Sequence, residues 1–128
     1  MKPLIFVLAL ALQAAATDAP PGWRAAKDKA LDLTIAGKDL DVLAIYEKFA
    51  AQHPKFAEAQ FMLGAAHEQV ARGAVRNKLP DPVATRMKHY ELAITHMRRG
   101  IDMAGAGAPF DWFRGFIDIH GLVGVDRP

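Results

Sequence analysis

Apolar residues return along this chain at steps of three and four, the period of a helix face, and rarely alternate as a half-buried strand would. A first helix is predicted over about residues 23–36, where Trp23, Ala26, Ala30 and Leu33 share one side and Gly37 is a natural stop. A second runs from Asp39, a candidate N-cap, to about residue 52, with Leu43, Tyr46, Phe49 and Ala50 together ahead of Pro54. A third spans about 56–72 and closes at Gly73. Asn77, Pro80, Asp81 and Pro82 then predict a loop, because Pro80 cannot continue a helix and restricts the residue before it. Asp81 followed by Pro82 reads as a new helix start, N-cap and then proline at the first helical position. That fourth helix reaches about residue 103 on a stripe of Met87, Tyr90, Ala93, Ile94, Met97 and Ile101, and Gly105 and Gly107 end it. A fifth begins near Pro109 and carries Phe110, Trp112, Phe113, Phe116, Ile117 and Ile119. The turn at Gly37-Lys38 is so short that its flanking helices must be antiparallel neighbours, and the expected class is all-α.

The first residues follow a different logic. Lys2, an apolar run from Leu4 to Leu12 and the small residues Ala14-Ala15-Ala16 have the three-part layout of a secretory signal peptide. Cleavage is expected between Ala16 and Thr17, since Pro20 would hinder a cut after Ala19; residues 17–22 then serve as a linker. The run is shorter than the ~20 residues that span a bilayer, and the alternative is an uncleaved anchor. No Cys follows the run, which argues against a lipid-modified start.

Removal of residues 1–16 leaves about 112 of 128, enough for one small domain. It also takes Lys+Arg from 16 to 15, against 14 Asp+Glu. Nucleic acid and anionic membrane both select a strong positive field, so neither is the expected partner. With no Cys, disulfides and thiolate metal sites are excluded, and stability must come from helix packing. An exported chain of this kind suits a bacterial envelope, periplasmic or secreted.

The third and fourth helices carry a further pattern. Leu63-Gly64 lies in the third, and Ala93, Met97 and Gly100 recur in the fourth; Tyr46 and Pro54 stand one unit earlier, and Gly115 sits within Trp112-Phe113-Arg114-Gly115. In these positions the chain resembles the tetratricopeptide repeat family, with His67 in place of a tyrosine, Gln60 in place of a tryptophan and Val42 in place of an alanine. The resemblance implies antiparallel helical hairpins stacked as a short right-handed array over residues 23–121. Its units would be about 23–54, 57–105 and a partial 108–121, followed by a tail at 122–128. From Gly64 to Gly115 is 51 residues, one repeat of ~34 plus about 17, which places an insertion near 74–86. Leu63, Gly64, Ala93, Met97, Gly100 and Gly115 would be the packing positions, with Gly64 and Gly115 in equivalent slots. Gly64 costs roughly 1 kcal/mol inside a helix relative to alanine, which itself suggests a close crossing. An ordinary helical bundle with incidental glycines is the plainer alternative.

Candidate chemistry is sparse. His67-Glu68-Gln69-Val70-Ala71 begins like a zinc-protease helix, but Ala71 stands where the second histidine belongs. His89 and His96 share a face two turns, ~10 Å, apart, too far to share an ion. No metal or cofactor is expected, and His67 is read as an interhelical packing residue. Asp39 and Asp41 flank a helix start, where capping explains them; Asp111 and Asp118 face different sides. The chain has no Ser and no Cys, so the two commonest nucleophiles are missing and no enzyme is expected. Arg86, Lys88, Arg98 and Arg99 read as a solvated basic face. Phe110, Trp112, Phe113 and Phe116 would pack on the third and fourth helices, dock a partner or second copy, or belong to a longer array.

The expected function is a non-catalytic scaffold that binds a protein or peptide in a helical groove. By the resemblance, Glu58, Phe61, Ala65, Glu68 and Gln69 would face that groove. The alternative is a structural module of an envelope assembly or homo-oligomer, joined through the aromatic last helix.

Overall fold

The computed structural model describes residues 19–126, with side chains to residue 121; the expected signal peptide at 1–16 and residues 127–128 lie outside them, and residues 122–126, expected as a tail, continue the last helix. Among the described residues the chain forms five α-helices and one 3-10 turn, with no strand. These are α1 (Trp23–Ile35), α2 (Asp39–Gln52), α3 (Ala57–Arg72), α4 (Pro82–Ala104), the 3-10 turn Gly105–Gly107 and α5 (Phe110–Asp126). Each helix packs chiefly on the next, and the α3–α4 seam is the most extensive. No described helix is long and apolar enough to cross a membrane.

The stops are local chemistry. Gly37 takes a left-handed φ of 75° after α1. There its N–H donates to the Thr34 carbonyl and the Lys38 N–H reaches back to Leu33, the pair of bonds that closes a Schellman turn. Gly73 ends α3 for another reason: its φ is −91°, and a Cβ there would strike the Asp39 carboxylate. Asp39 is not the N-cap its position suggested. Lys38 holds that place, and the Asp39 side chain, 2% exposed, turns instead to the segment after α3. It accepts hydrogen bonds from Gln69 Nε2 (3.4 Å), Asn77 Nδ2 (3.0 Å) and Arg76. Asp81 does precede Pro82 at the start of α4, but makes no side-chain cap bond; Thr85 N–H donates to its carbonyl instead.

Two apolar cores meet on α3. Trp23, Val42, Leu43, Tyr46, Phe49, Leu63 and Val70 join α1, α2 and one side of α3. Trp23 anchors this first core, with its ring 4.8 Å from Phe49 and edge-on to Phe56 at 5.1 Å. Phe61, Tyr90, Ala93, Met97 and Ile119 join the other side of α3 to α4 and α5. A helix covered on both flanks needs small side chains, which is why α3 is rich in alanine.

The α3–α4 seam is set by two glycines. A Cβ on Gly64 would lie 2.7 Å from the Met97 nitrogen and 2.8 Å from the Ala93 carbonyl; one on Gly100 would lie 2.8 Å from the Phe61 nitrogen and 2.9 Å from the Ala57 carbonyl. Residue numbers rise along α4 as they fall along α3, so the pair is antiparallel. Gly115 does not share this situation. Its nearest neighbour is the tip of Phe61 at 3.8 Å, an ordinary contact, so Gly64 and Gly115 are not equivalent slots.

Candidate functional site

Between α1 and α3 the surface folds inward into a recess of about 230 Å³. Ala30, Val42, Tyr46 and Ala66 form its depth, Leu31, Met62 and Ala65 its apolar sides, and Lys27, Thr34 and Gln69 its polar rim. The rim is pre-arranged. Gln69 Nε2 donates to Thr34 Oγ1 at 3.3 Å, while Lys27 Nζ lies 3.3 Å from Glu58 Oε1. Glu58 also accepts a hydrogen bond from Trp23 Nε1, so its carboxylate ties the start of α3 to the start of α1. Burial, and secondarily the Glu58 charge, raises the Tyr46 phenol above its usual value, keeping it neutral at the recess floor.

Of the five residues expected to face a groove, two line this recess: Ala65 and Gln69. Glu58 stands beside it, occupied by Trp23 and Lys27. Phe61 and Glu68 do not belong to it. Phe61 is buried and stacked flat on Trp112 of α5, centroids 4.6 Å apart and planes within 6°, so it is core and offers no ligand contact. Glu68 pairs with Arg72 one turn on, at 2.5 Å. The reason is angular: positions 58, 62, 65 and 69 follow 4-3-4 steps along one line, whereas 61 and 68 lie about 70–90° round the helix. Lys27, Leu31 and Thr34 were missed, although their 4-3 spacing on α1 marks the opposing wall.

A second cluster lies on the α3–α4 seam. His67 Nδ1 is 2.9 Å from His89 Nδ1, and its ring is stacked on His96 with centroids 5.6 Å apart and planes within 7°. His96 Nδ1 in turn lies 3.4 Å from Gln60 Oε1. Burial, then the positive charge His89, His96 and Lys88 would carry, holds His67 down at about 4. His89 and His96 are lowered too, first by burial and then by Lys88 and Arg99 respectively, with Glu47 of α2 acting against the shift. Parallel stacking points the nitrogens of His67 and His96 along separate lines. Among the described residues no group of three or more His, Asp or Glu side chains is placed to hold a metal ion.

The aromatic residues of α5 divide. Trp112 and Phe116 are half-buried beside the fully buried Ile119, against the second core. Phe110, Phe113 and Ile117, at 3-4 steps on the opposite side, are 80%, 41% and 67% exposed. On the outer face of α4, Arg98 and Arg99 are exposed along an open depression with Ile94 and Met103.

No family model matches the chain, and neither a curated protein nor a solved structure matches it.

Proposed function

We propose that this chain is a non-catalytic, exported scaffold resembling tetratricopeptide repeats, its hairpins stacked as a right-handed array, which binds a segment of a partner protein between α1 and α3. The observation that carries the reading is the recess itself: an apolar hollow with hydrogen-bonding side chains around its mouth. Its volume is below the ~300 Å³ at which small-molecule pockets begin. It suits one or two apolar side chains of a peptide, with Gln69, Thr34 and Lys27 placed to meet the peptide's backbone. A preformed hollow of this kind needs no cofactor, and a chain without Ser or Cys lacks the usual nucleophiles.

Selection of displayed random peptides on the wild-type chain and on Leu31→Asp tests this reading. Leu31 is exposed at the rim, so the variant should fold normally yet lose the selected peptides. Peptides bound equally by both proteins would refute a binding site here. Export is tested separately, by fusing residues 1–22 to a reporter active only outside the cytoplasm.

A second reading rests on α5. The exposed stripe Phe110, Phe113 and Ile117 favours a structural role, in which this helix joins an envelope assembly or a second copy. Sedimentation over a hundredfold concentration range separates the two, since assembly through the stripe predicts a rising mass that Phe110→Ser with Ile117→Ser abolishes.

A further inference from the structure

The three histidines on the α3–α4 seam are not needed by the groove, and ordinary core residues would fill the same space more simply. His67 is 5% exposed, yet it is wedged between two further imidazoles where the helices approach backbone to backbone. A contact of 2.9 Å between two Nδ1 atoms requires opposite tautomers, one donating its proton and the other accepting. One added proton can be shared across that contact. A second puts N–H against N–H and breaks it.

We propose that the stack of His67, His89 and His96 is an acid-sensitive latch that holds α4 on α3 when neutral and releases it when protonated. The charged groups around it fit this role. Lys88 and Arg99 of α4 add positive charge beside His89 and His96, and Glu47 of α2 is the acidic side chain that opposes them. Gln60 of α3 meets His96 through an amide and supplies no charge. Protonation therefore gathers like charge on a seam that has no room to relax, because Gly64 and Gly100 already bring the backbones into contact. The release would be local: α4 carries α5 with it, parting Trp112 from Phe61, while α1, α2 and the other side of α3 keep their own core.

The direction follows from the depressed values. The unfolded or opened chain takes up protons near the ordinary 6.5, and the closed form takes up the one on His67 near 4. Closure is therefore complete above pH 6.5 and weakens as the pH falls through 6.5 toward 4. His67 alone should lower the closing equilibrium by about twentyfold between pH 7 and pH 5, and His89 and His96 add to this in the same direction.

Amide hydrogen exchange of the full chain, corrected for intrinsic rates and measured from pH 7.5 to 4.5, tests the latch. Amides of α4 and α5 should lose at least tenfold protection by pH 5 while those of α1 and α2 keep theirs. In His67→Gln that loss should shrink to within about threefold. Should the variant fail to fold, ring-nitrogen titration of the wild type by NMR decides: His67 must stay neutral in the folded protein below pH 5. Titration of His67 near 6.5, a flat exchange profile, or equal loss in all five helices would each overturn the proposal.

Discussion

Gly64 and Gly115 look alike in the sequence, yet their surroundings demand opposite outcomes on substitution. At Gly64 any Cβ meets the α4 backbone at Met97 and Ala93, and a backbone cannot rotate aside. Gly64→Val is expected to cost about 3 kcal/mol or more, read as a lowered midpoint in urea unfolding. At Gly115 the same atom would find only the tip of Phe61 at ordinary distance. Gly115→Ala should therefore leave stability unchanged or raise it by up to about 1 kcal/mol through helix propensity. Asp39 offers a third contrast. It is buried and takes hydrogen bonds from Gln69, Asn77 and Arg76, so Asp39→Ala should lower stability by about 1–3 kcal/mol. Arg76→Ala should cost less, about 1 kcal/mol, because the guanidinium is itself 63% exposed and the buried Asp39 carboxylate keeps its bonds from Gln69 and Asn77. Thermal melts of both variants would show the ordering.

At the scale of elements, the helices were legible wherever a backbone-specific residue marked their limits. Gly37, Gly73 and the Asp81-Pro82 pair put three boundaries within a residue or two: the left-handed turn at Gly37 and the missing N–H at Pro82 act locally, and at Gly73 the lack of a side chain leaves room for the Asp39 carboxylate. Facing directions were harder to read. The expected groove side of α3 mixed two lines of residues, since a helix buried on both flanks has no single polar side to orient it. The repeat resemblance puts Phe61 on the groove side, but its stacking partner Trp112 lies 51 positions along the chain and leaves no trace in local periodicity. Asp39 misled similarly: at a helix start it resembles a cap, and only the fold brings Arg76 and Asn77 to it. The Schellman turn after α1 makes its own prediction. Gly37→Ala forces a Cβ into the left-handed region, at about 1 kcal/mol by equilibrium unfolding, with no other change in the fold.

Over the whole molecule, the two cores share α3 without being interchangeable. The first holds the Trp23 cage and the recess; the second holds the histidine seam and α5. A substitution at the rim of the recess, such as Leu31→Asp, should leave global stability within about 0.5 kcal/mol while abolishing any peptide affinity, as calorimetry and titration on the same sample would show. The notched glycines have a wider consequence. A pair of smooth helices can slide past one another by a turn and settle again, but α3 and α4 interlock at Gly64 and at Gly100 simultaneously. Shifting α4 by 5.4 Å would drive it onto Gln60 and Phe61 in one direction or His67 and Glu68 in the other, none of which leaves a gap. The hairpin thus has one alignment or none: when it reopens it must come back to the same teeth, and a chain that closes out of step has no comfortable place to stop.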